Sequence, residues 1–273
     1  MTRIVCVHGI GQAYEAAETL LATWAPALAG GVSNAGGRLD PAEVSMAFYG
    51  ALFRPEGGKG ADGIPEYAPG DLEDTLERAL LADLYAAHAP DMTDGAATKG
   101  LGARTLAGML QVVAALPFFG GVAQKVVIWH LKQVARYVRE PAIRRAARQA
   151  VLDTIRPDTR ILVGHSLGSI VAWETLCAHP GLPVRTLLTL GSPLGVPALL
   201  PRLDPPVRQP PGEWPGGVTR WVNIADARDV VALEKRLGRV FGDRVEDIPV
   251  QNGATMHDVK PYLTSRQAGE VLA

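Results

Sequence analysis

Cysteine is scarce in this chain: two among 273 residues, Cys6 and Cys177, each set in an apolar run. That rules out a disulfide framework and leaves a buried structural thiol as the reading of each. The six histidines show no His-x-x-x-His spacing, so no metal site is expected. A charge imbalance is lacking too. The formal net charge is −1, which removes the electrostatic footprint of a nucleic-acid partner. No apolar run reaches the ~18–20 residues of a spanning helix. The opening MTRIVCVHG has one basic residue before a short apolar stretch that runs into a His-Gly turn. It does not resemble a signal peptide, and a cytoplasmic chain is expected. Phosphate loops are missing as well. His8-Gly9-Ile10-Gly11-Gln12-Ala13 lacks the third glycine of G-x-G-x-x-G, and G-x-x-x-x-G-K-[ST] does not occur. There is no internal repeat.

What is present is a regular alternation. Short runs rich in Val, Ile and Leu recur between helical patterns, the signature of a mostly parallel sheet covered by helices. Strands are expected at 3–8, 44–49, 160–164, 184–190, 218–225 and 245–250. Helices are expected at about 14–29, 141–155 and 167–178, and from Asp258. With nearly half of the residues hydrophobic, a single domain over 1–273 can bury a sizeable core.

Residues 51–140 interrupt the alternation and read as a helical insertion. Leu72, Leu76, Leu80 and Leu84 form a stripe at i, i+4 spacing over 71–87, with Asp71 as its expected N-cap. Val127, Leu131, Val134 and Val138 form a second stripe. Between them lies a very apolar stretch broken by Pro117, Gly120 and Gly121. From Asp62 to Asp94 there are nine acidic residues and one basic; from Lys99 to Arg148, nine basic and one acidic. Mutual neutralisation across the insertion, or two solvated faces, is the favoured reading. The alternative is a basic rim that meets a lipid surface or an anionic substrate.

One stretch carries chemistry. Gly164-His165-Ser166-Leu167-Gly168 follows an apolar strand, opens a helix and fits G-x-S-x-G. A strand that turns into a helix within about two residues strains the serine backbone and leaves room only for glycine two positions to either side. The turn lifts the hydroxyl above the sheet edge at a helix N-terminus, where developing negative charge is stabilised. A serine needs a base, and in chain order an acid precedes that base. His257 is the only histidine after His179, and it lies beyond the last expected strand. The acid is expected in the loop Ala225–Ala232. Asp229 is preferred because Val230 and Val231 would anchor it; Asp226 is the alternative. Leu167 and Ile10 are the expected N–H donors to an oxyanion. Val112, Val113, Leu116, Phe118 and Phe119 are expected either to line an acyl pocket or only to pack a helical hairpin.

Taken together, "VHGIG", "VGHSLGS", "TLGSPLG", "WVNIADARDVV" and the late histidine resemble the α/β-hydrolase superfamily, its lipase-like serine esterases above all. The likeness covers about 1–50 and 141–273. It implies a three-layer sandwich of about six strands, without the two strands that usually lead the fold, and with 51–140 as an insertion or lid. It implies an acyl-enzyme on Ser166, with His257 as base and Asp229 as acid. The expected substrate is a small molecule with an ester or thioester bond and a hydrophobic acyl group, and no cofactor is required. Thioesterase, cyclase or acyltransferase chemistry would use the same residues, and a non-catalytic binding module would keep the fold alone.

Overall fold

Strands buried on both faces read as continuous apolar runs, and such runs pair in parallel between layers of helix. In the computed structural model, which describes residues 3–55, 64–88, 105–116, 123–253 and 256–273, six runs do so. They are β1 (Ile4–Val7), β2 (Val44–Ala47), β3 (Ile161–His165), β4 (Thr186–Leu190), β5 (Arg220–Asp226) and β6 (Val245–Val250). All pairings are parallel, in the spatial order β2-β1-β3-β4-β5-β6. The helices are α1 (Ala17–Asn34), α2 (Thr75–His88), α3 (Leu106–Ala114), α4 (Gln124–Arg139), α5 (Pro141–Thr154), α6 (Leu167–Ala178), α7 (Gly238–Phe241), α8 (Val259–Thr264) and α9 (Arg266–Leu272).

The two-residue period of a strand divides the core. Ile4 and Cys6, Val163, Leu188, Val222 and Ile224 face one way and pack with α1, α8 and α9. Val5 and Val7, Leu162, Leu187 and Trp221 face the other way, against α5 and α6. Apolar residues of α2, α3 and α4 join this second cluster, so the insertion shares the core of the sheet. The protein is therefore an α/β sandwich of three layers.

Two helix boundaries depart furthest from the sequence expectation. Helix α1 runs on through Gly30 and Gly31 to Asn34, held by packing against α8 and α9 despite the low propensity of glycine. Helix α2 begins at Thr75 rather than at 71. Asp74 Oδ1 accepts the Leu76 N–H at 2.7 Å and acts as its cap, while Asp71 Oδ2 closes the preceding turn on the Ala68 N–H at 2.7 Å.

The two charged segments of the insertion meet. Lys125 reaches Glu66 at 2.7 Å, Lys132 reaches Glu77 at 3.2 Å, and Arg139 pairs with Asp74. The Lys125 and Arg139 pairs each have an exposed member and contribute little stability, whereas Glu77 is buried beneath Lys132; together the three account for charge in both runs. No helix among the described residues is long and apolar enough to cross a membrane.

The order of the sheet reverses once. β2 lies outside β1 on one side and β3 pairs with β1 on the other, with Val7 opposite Gly164. At such a switch point the loops leaving the carboxyl ends of the two strands diverge and open a crevice, which is where open α/β sheets place ligands. The loop after β1 and the turn after β3 flank that crevice.

Behind it, Glu174 of α6 is wholly buried. Its carboxylate accepts from the Tyr137 hydroxyl of α4 (2.6 Å), from Arg148 Nη2 of α5 (2.7 Å) and from the Asp204 N–H (3.0 Å), with Arg144 at 3.3 Å. This cluster fastens the insertion to the sheet layer. Glu174→Ala takes the shared carboxylate from Tyr137, Arg144 and Arg148, of which Arg148 keeps Asp204 at 2.8 Å, and is expected to cost about 3–5 kcal/mol, read as a lowered urea midpoint at pH 7. A midpoint within error of the parent chain would show that the cluster does not hold the layers.

Candidate active site

Ser166 is the only non-glycine residue with positive φ among the described residues (φ 52°, ψ −130°). Such a conformation costs on the order of 1–3 kcal/mol and must be imposed by its surroundings. Here the imposition is steric. A Cβ on Gly164 would stand 2.6 Å from Ser169 Cα, and one on Gly168 would stand 2.2 Å from the Val7 carbonyl oxygen. Only glycine lets β3, α6 and β1 come this close. Hydrogen bonds secure the turn: the Ser166 N–H donates to Leu190 O (3.1 Å), and Ser169 Oγ donates to Ser166 O (2.6 Å). With its proton so used, Ser169 Oγ accepts from Ser192 Oγ at 2.6 Å, and Ser192 in turn accepts the Leu194 N–H at 3.2 Å.

The loop after β1 is fixed from three sides. Burial pushes the His8 imidazole down to about 4, so it is neutral near pH 7. Its bonds select one tautomer: Nδ1–H donates to Gly9 O (2.7 Å), and Nε2 accepts the Tyr49 N–H (3.2 Å). The Tyr49 hydroxyl donates to His8 O at 2.6 Å, and Gln133 Oε1 of α4 accepts the Gly11 N–H at 3.1 Å. Ile10 is held between these anchors. Leu167 is the first residue of α6, so its N–H has no carbonyl partner within that helix. Both backbones border Ser166.

Asp229 and His257 form a buried, hydrogen-bonded pair at the crevice. His257 Nδ1 lies 2.8 Å from each carboxylate oxygen, and both side chains are buried. Burial alone would raise the Asp229 carboxyl. The neighbouring His257, its hydrogen bond, the Tyr262 hydroxyl (2.7 Å) and the Val231 N–H (2.9 Å) outweigh burial and hold it well below the usual carboxylate range. An ionised acid on Nδ1 fixes the tautomer with Nε2 as the basic nitrogen. The His257 main chain is held in turn, because its carbonyl accepts His165 Nε2–H at 2.9 Å. Burial, with the charge of His257 next in importance, pushes His165 down to about 3.

Two cavities open on Ser166. One, of about 380 Å³, is bordered by Gln12, Trp24, His130, His165, Ser166, His257 and Asp258. The other, of about 70 Å³, is walled by aliphatic side chains of α2 and α4. A larger cleft of about 590 Å³ lies along Lys235, Arg239 and Asp247 at the β6 edge and borders none of these groups.

The structure brings Ser166, Asp229, His257, Ile10 and Leu167 to one place. Asp226 is engaged elsewhere: its carboxylate accepts the N–H groups of Arg228 (2.7 Å) and Asn252 and shapes the loop. The expected pocket residues of α3 are displaced from the site. Val113 and Leu116 are buried in the core because the apolar face of α3 packs on α2 and α4; Leu116 edges a separate cleft with His88 and Met256, and neither it nor Val112 borders either cavity at Ser166. Phe118 and Phe119 lie outside the described residues. The sequence reading missed Tyr262, Tyr49, Gln133 and His130, and gave the His8 side chain and Gly191 no role, although both stood in quoted motifs, His8 in VHGIG and Gly191 in the Gly-Ser-Pro that ends β4. Gly191 has φ 52°, and a Cβ there would stand 2.6 Å from Asp229 Oδ2 and 3.1 Å from His257 Nδ1.

Gly191→Ala is therefore expected to part Asp229 from His257, read as loss of the low-field imidazole N–H proton resonance that the buried pair should give. A retained resonance would refute the steric argument. A second expectation concerns pH. His8 and His130 are pushed down to about 4 and His165 to about 3, burial being the largest cause in each case. Their folded values lie below the unfolded 6.5, so their contribution is full above pH 6.5 and is lost as pH falls towards 4. The unfolded chain takes up protons there that the folded chain refuses, at roughly 1 kcal/mol per pH unit for each histidine. The urea midpoint should stay level from pH 7.5 to 6.5 and then drop steeply; a level midpoint down to pH 5 would contradict it.

No family model, curated protein or solved structure matches the chain.

Proposed function

We propose that the protein is a serine hydrolase of the α/β-hydrolase type that cleaves an ester-like bond through an acyl-enzyme on Ser166. The observation that carries this reading is the buried Asp229–His257 pair beside a serine held at φ 52°. Strain at a polar residue, next to an oriented imidazole, is costly for a scaffold and useful for nucleophilic catalysis.

In this reading the substrate carbonyl lies against Ser166, its oxygen towards the N–H groups of Ile10 and Leu167. Ser166 Oγ attacks the carbonyl carbon while His257 Nε2 takes the hydroxyl proton. Asp229 stays ionised and stabilises the imidazolium. The tetrahedral oxyanion collapses, the bond to the leaving oxygen breaks, and that oxygen receives the proton from His257. Water then enters, gives a proton to His257 and attacks the acyl carbon. The second collapse frees the acid and returns the proton to Ser166. The acid, base and donors are all fixed before substrate arrives, so little reorganisation accompanies the charge that develops. Helices α2 and α4 are the natural walls of the acyl side.

A fluorophosphonate probe should label the protein on Ser166, and Ser166→Ala should abolish both labelling and turnover of an activated ester. Asp229→Asn should retain the fold and lower kcat on the order of 10⁴-fold, since the amide favours the wrong imidazole tautomer. Absence of labelling in the parent chain, or equal labelling of Ser166→Ala, would refute the assignment.

A further inference from the structure

The two cavities at Ser166 differ in chemistry and share three bordering residues: Ile10, His130 and Ser166. Two of these are the attacking residue and an oxyanion donor in the proposed reaction. A carbonyl placed where the cavities meet therefore has one substituent in each. The smaller cavity is lined by Leu84 of α2, Val127, Leu131 and Val134 of α4, and Pro193 and Val196 of the loop after β4. It offers an ester's acyl chain no polar side chain beyond Ser166 and His130. Its volume is about 70 Å³, about half of the ~150 Å³ dry cavity that takes benzene. Room for roughly three carbons follows. The larger cavity, at about 380 Å³, presents Gln12, His130, His257 and Asp258 and suits a hydrated, hydroxyl-bearing group.

We propose that the substrate class is an ester of a short aliphatic acid, about two to four carbons long, with a larger polar alcohol. The short acyl chain occupies the slot between α2 and α4, and the alcohol occupies the chamber bordered by Gln12 and Asp258. This inference rests on the serine-hydrolase reading, and it narrows that reading on both sides of the scissile bond. It also places the acyl group between α2 and α4 and not at Val112, Val113 and Leu116, the first of the two roles expected for those residues. Leu84 and Val134 are half-buried at the slot, so shortening them enlarges it with little disturbance of the core, and enlarging Val134 closes it.

The experiment has two arms on the full chain. The first is labelling of Ser166 with a fluorophosphonate. The second is kcat/KM for 4-nitrophenyl acetate, butyrate, octanoate and decanoate below their aggregation limits, and for glycerol monobutyrate against ethyl butyrate. The expected result is labelling, a maximum at acetate or butyrate, a fall of at least tenfold at octanoate, and a preference for the glycerol ester. Leu84→Ala and Val134→Ala should raise octanoate relative to butyrate at least fivefold, and Val134→Phe should suppress butyrate more than acetate. Labelling with kcat/KM that is flat or rises through decanoate, or with no response to these variants, overturns the inference and leaves the hydrolase standing. Labelling with equal use of the two butyrates overturns the assignment of the chamber. Absence of labelling together with absence of turnover overturns both readings.

Discussion

The Asp229 carboxylate is the constraint on which the site depends. A wholly buried anion is tolerated only where hydrogen bonds replace its hydration. Its partners come from three parts of the chain: His257 ahead of α8, Tyr262 within α8, and the N–H groups of Val231 and Ala232 in its own loop. Lys235 adds a donor to the Asp229 carbonyl. Tyr262 also accepts the Asp226 N–H at 2.9 Å, so one phenol ties the end of β5 to the acid. Meeting the needs of this one charge therefore fixes the position of the last strand's loop, the imidazole and a C-terminal helix. Gly191 then has to be glycine, because the space beside the carboxylate is already filled.

The second constraint is the strained turn at Ser166, and the core sustains it. Leu162, Val163, Ile170 and Val171, on both sides of the turn, are buried to within 1% of full coverage. Burial of about 1.5–3 kcal/mol per large apolar side chain exceeds the few kcal/mol stored at Ser166. The switch point then gives that turn an open crevice. β1 and β3 are adjacent in space but distant in sequence, so their loops bring the Ile10 N–H and Ser166 together without any local sequence signal that pairs them.

How much of this was legible depends on the range of each interaction. The six strands could be read because each is an apolar run bounded by turn residues, and Ser166 because the turn's steric demand writes itself as two glycines two positions away. Asp229 was distinguishable from Asp226 by its apolar neighbours, and the structure gives the reason: Val230 is buried and anchors the loop. Tyr262, Gln133 and His8 were not legible. Their partners lie 33, 122 and 41 residues away, and nothing in a lone tyrosine or glutamine marks it as the partner of a distant backbone. Of the two roles open to the apolar residues Val112, Val113 and Leu116, the structure favours packing: Val113 and Leu116 are absorbed by the core, as strong hydrophobicity predicts, and none of the three borders a cavity at Ser166. The cavity is lined from α4, whose stripe of Val127, Leu131 and Val134 is shared between core and cavity.

That sharing decides what the insertion does in the proposed reaction. Helix α4 supplies Gln133 to the oxyanion loop, His130 to the junction of the two cavities, aliphatic side chains to the slot, and Tyr137 to Glu174. His130, Gln133 and Tyr137 fall on successive turns of one helix, at 3- and 4-residue spacing, with Val127, Leu131 and Val134 interleaved, so a shift of α4 would move them all together. A cover independent of the site would carry none of the site's hydrogen bonds. α4 carries one to the Gly11 N–H and another to a buried carboxylate, and breaking either leaves a buried polar group unsatisfied. The slot's dimensions therefore belong to the folded core rather than to a detachable flap, and in the proposed reaction any selection by chain length would be set by the same packing that holds the loop after β1 in place.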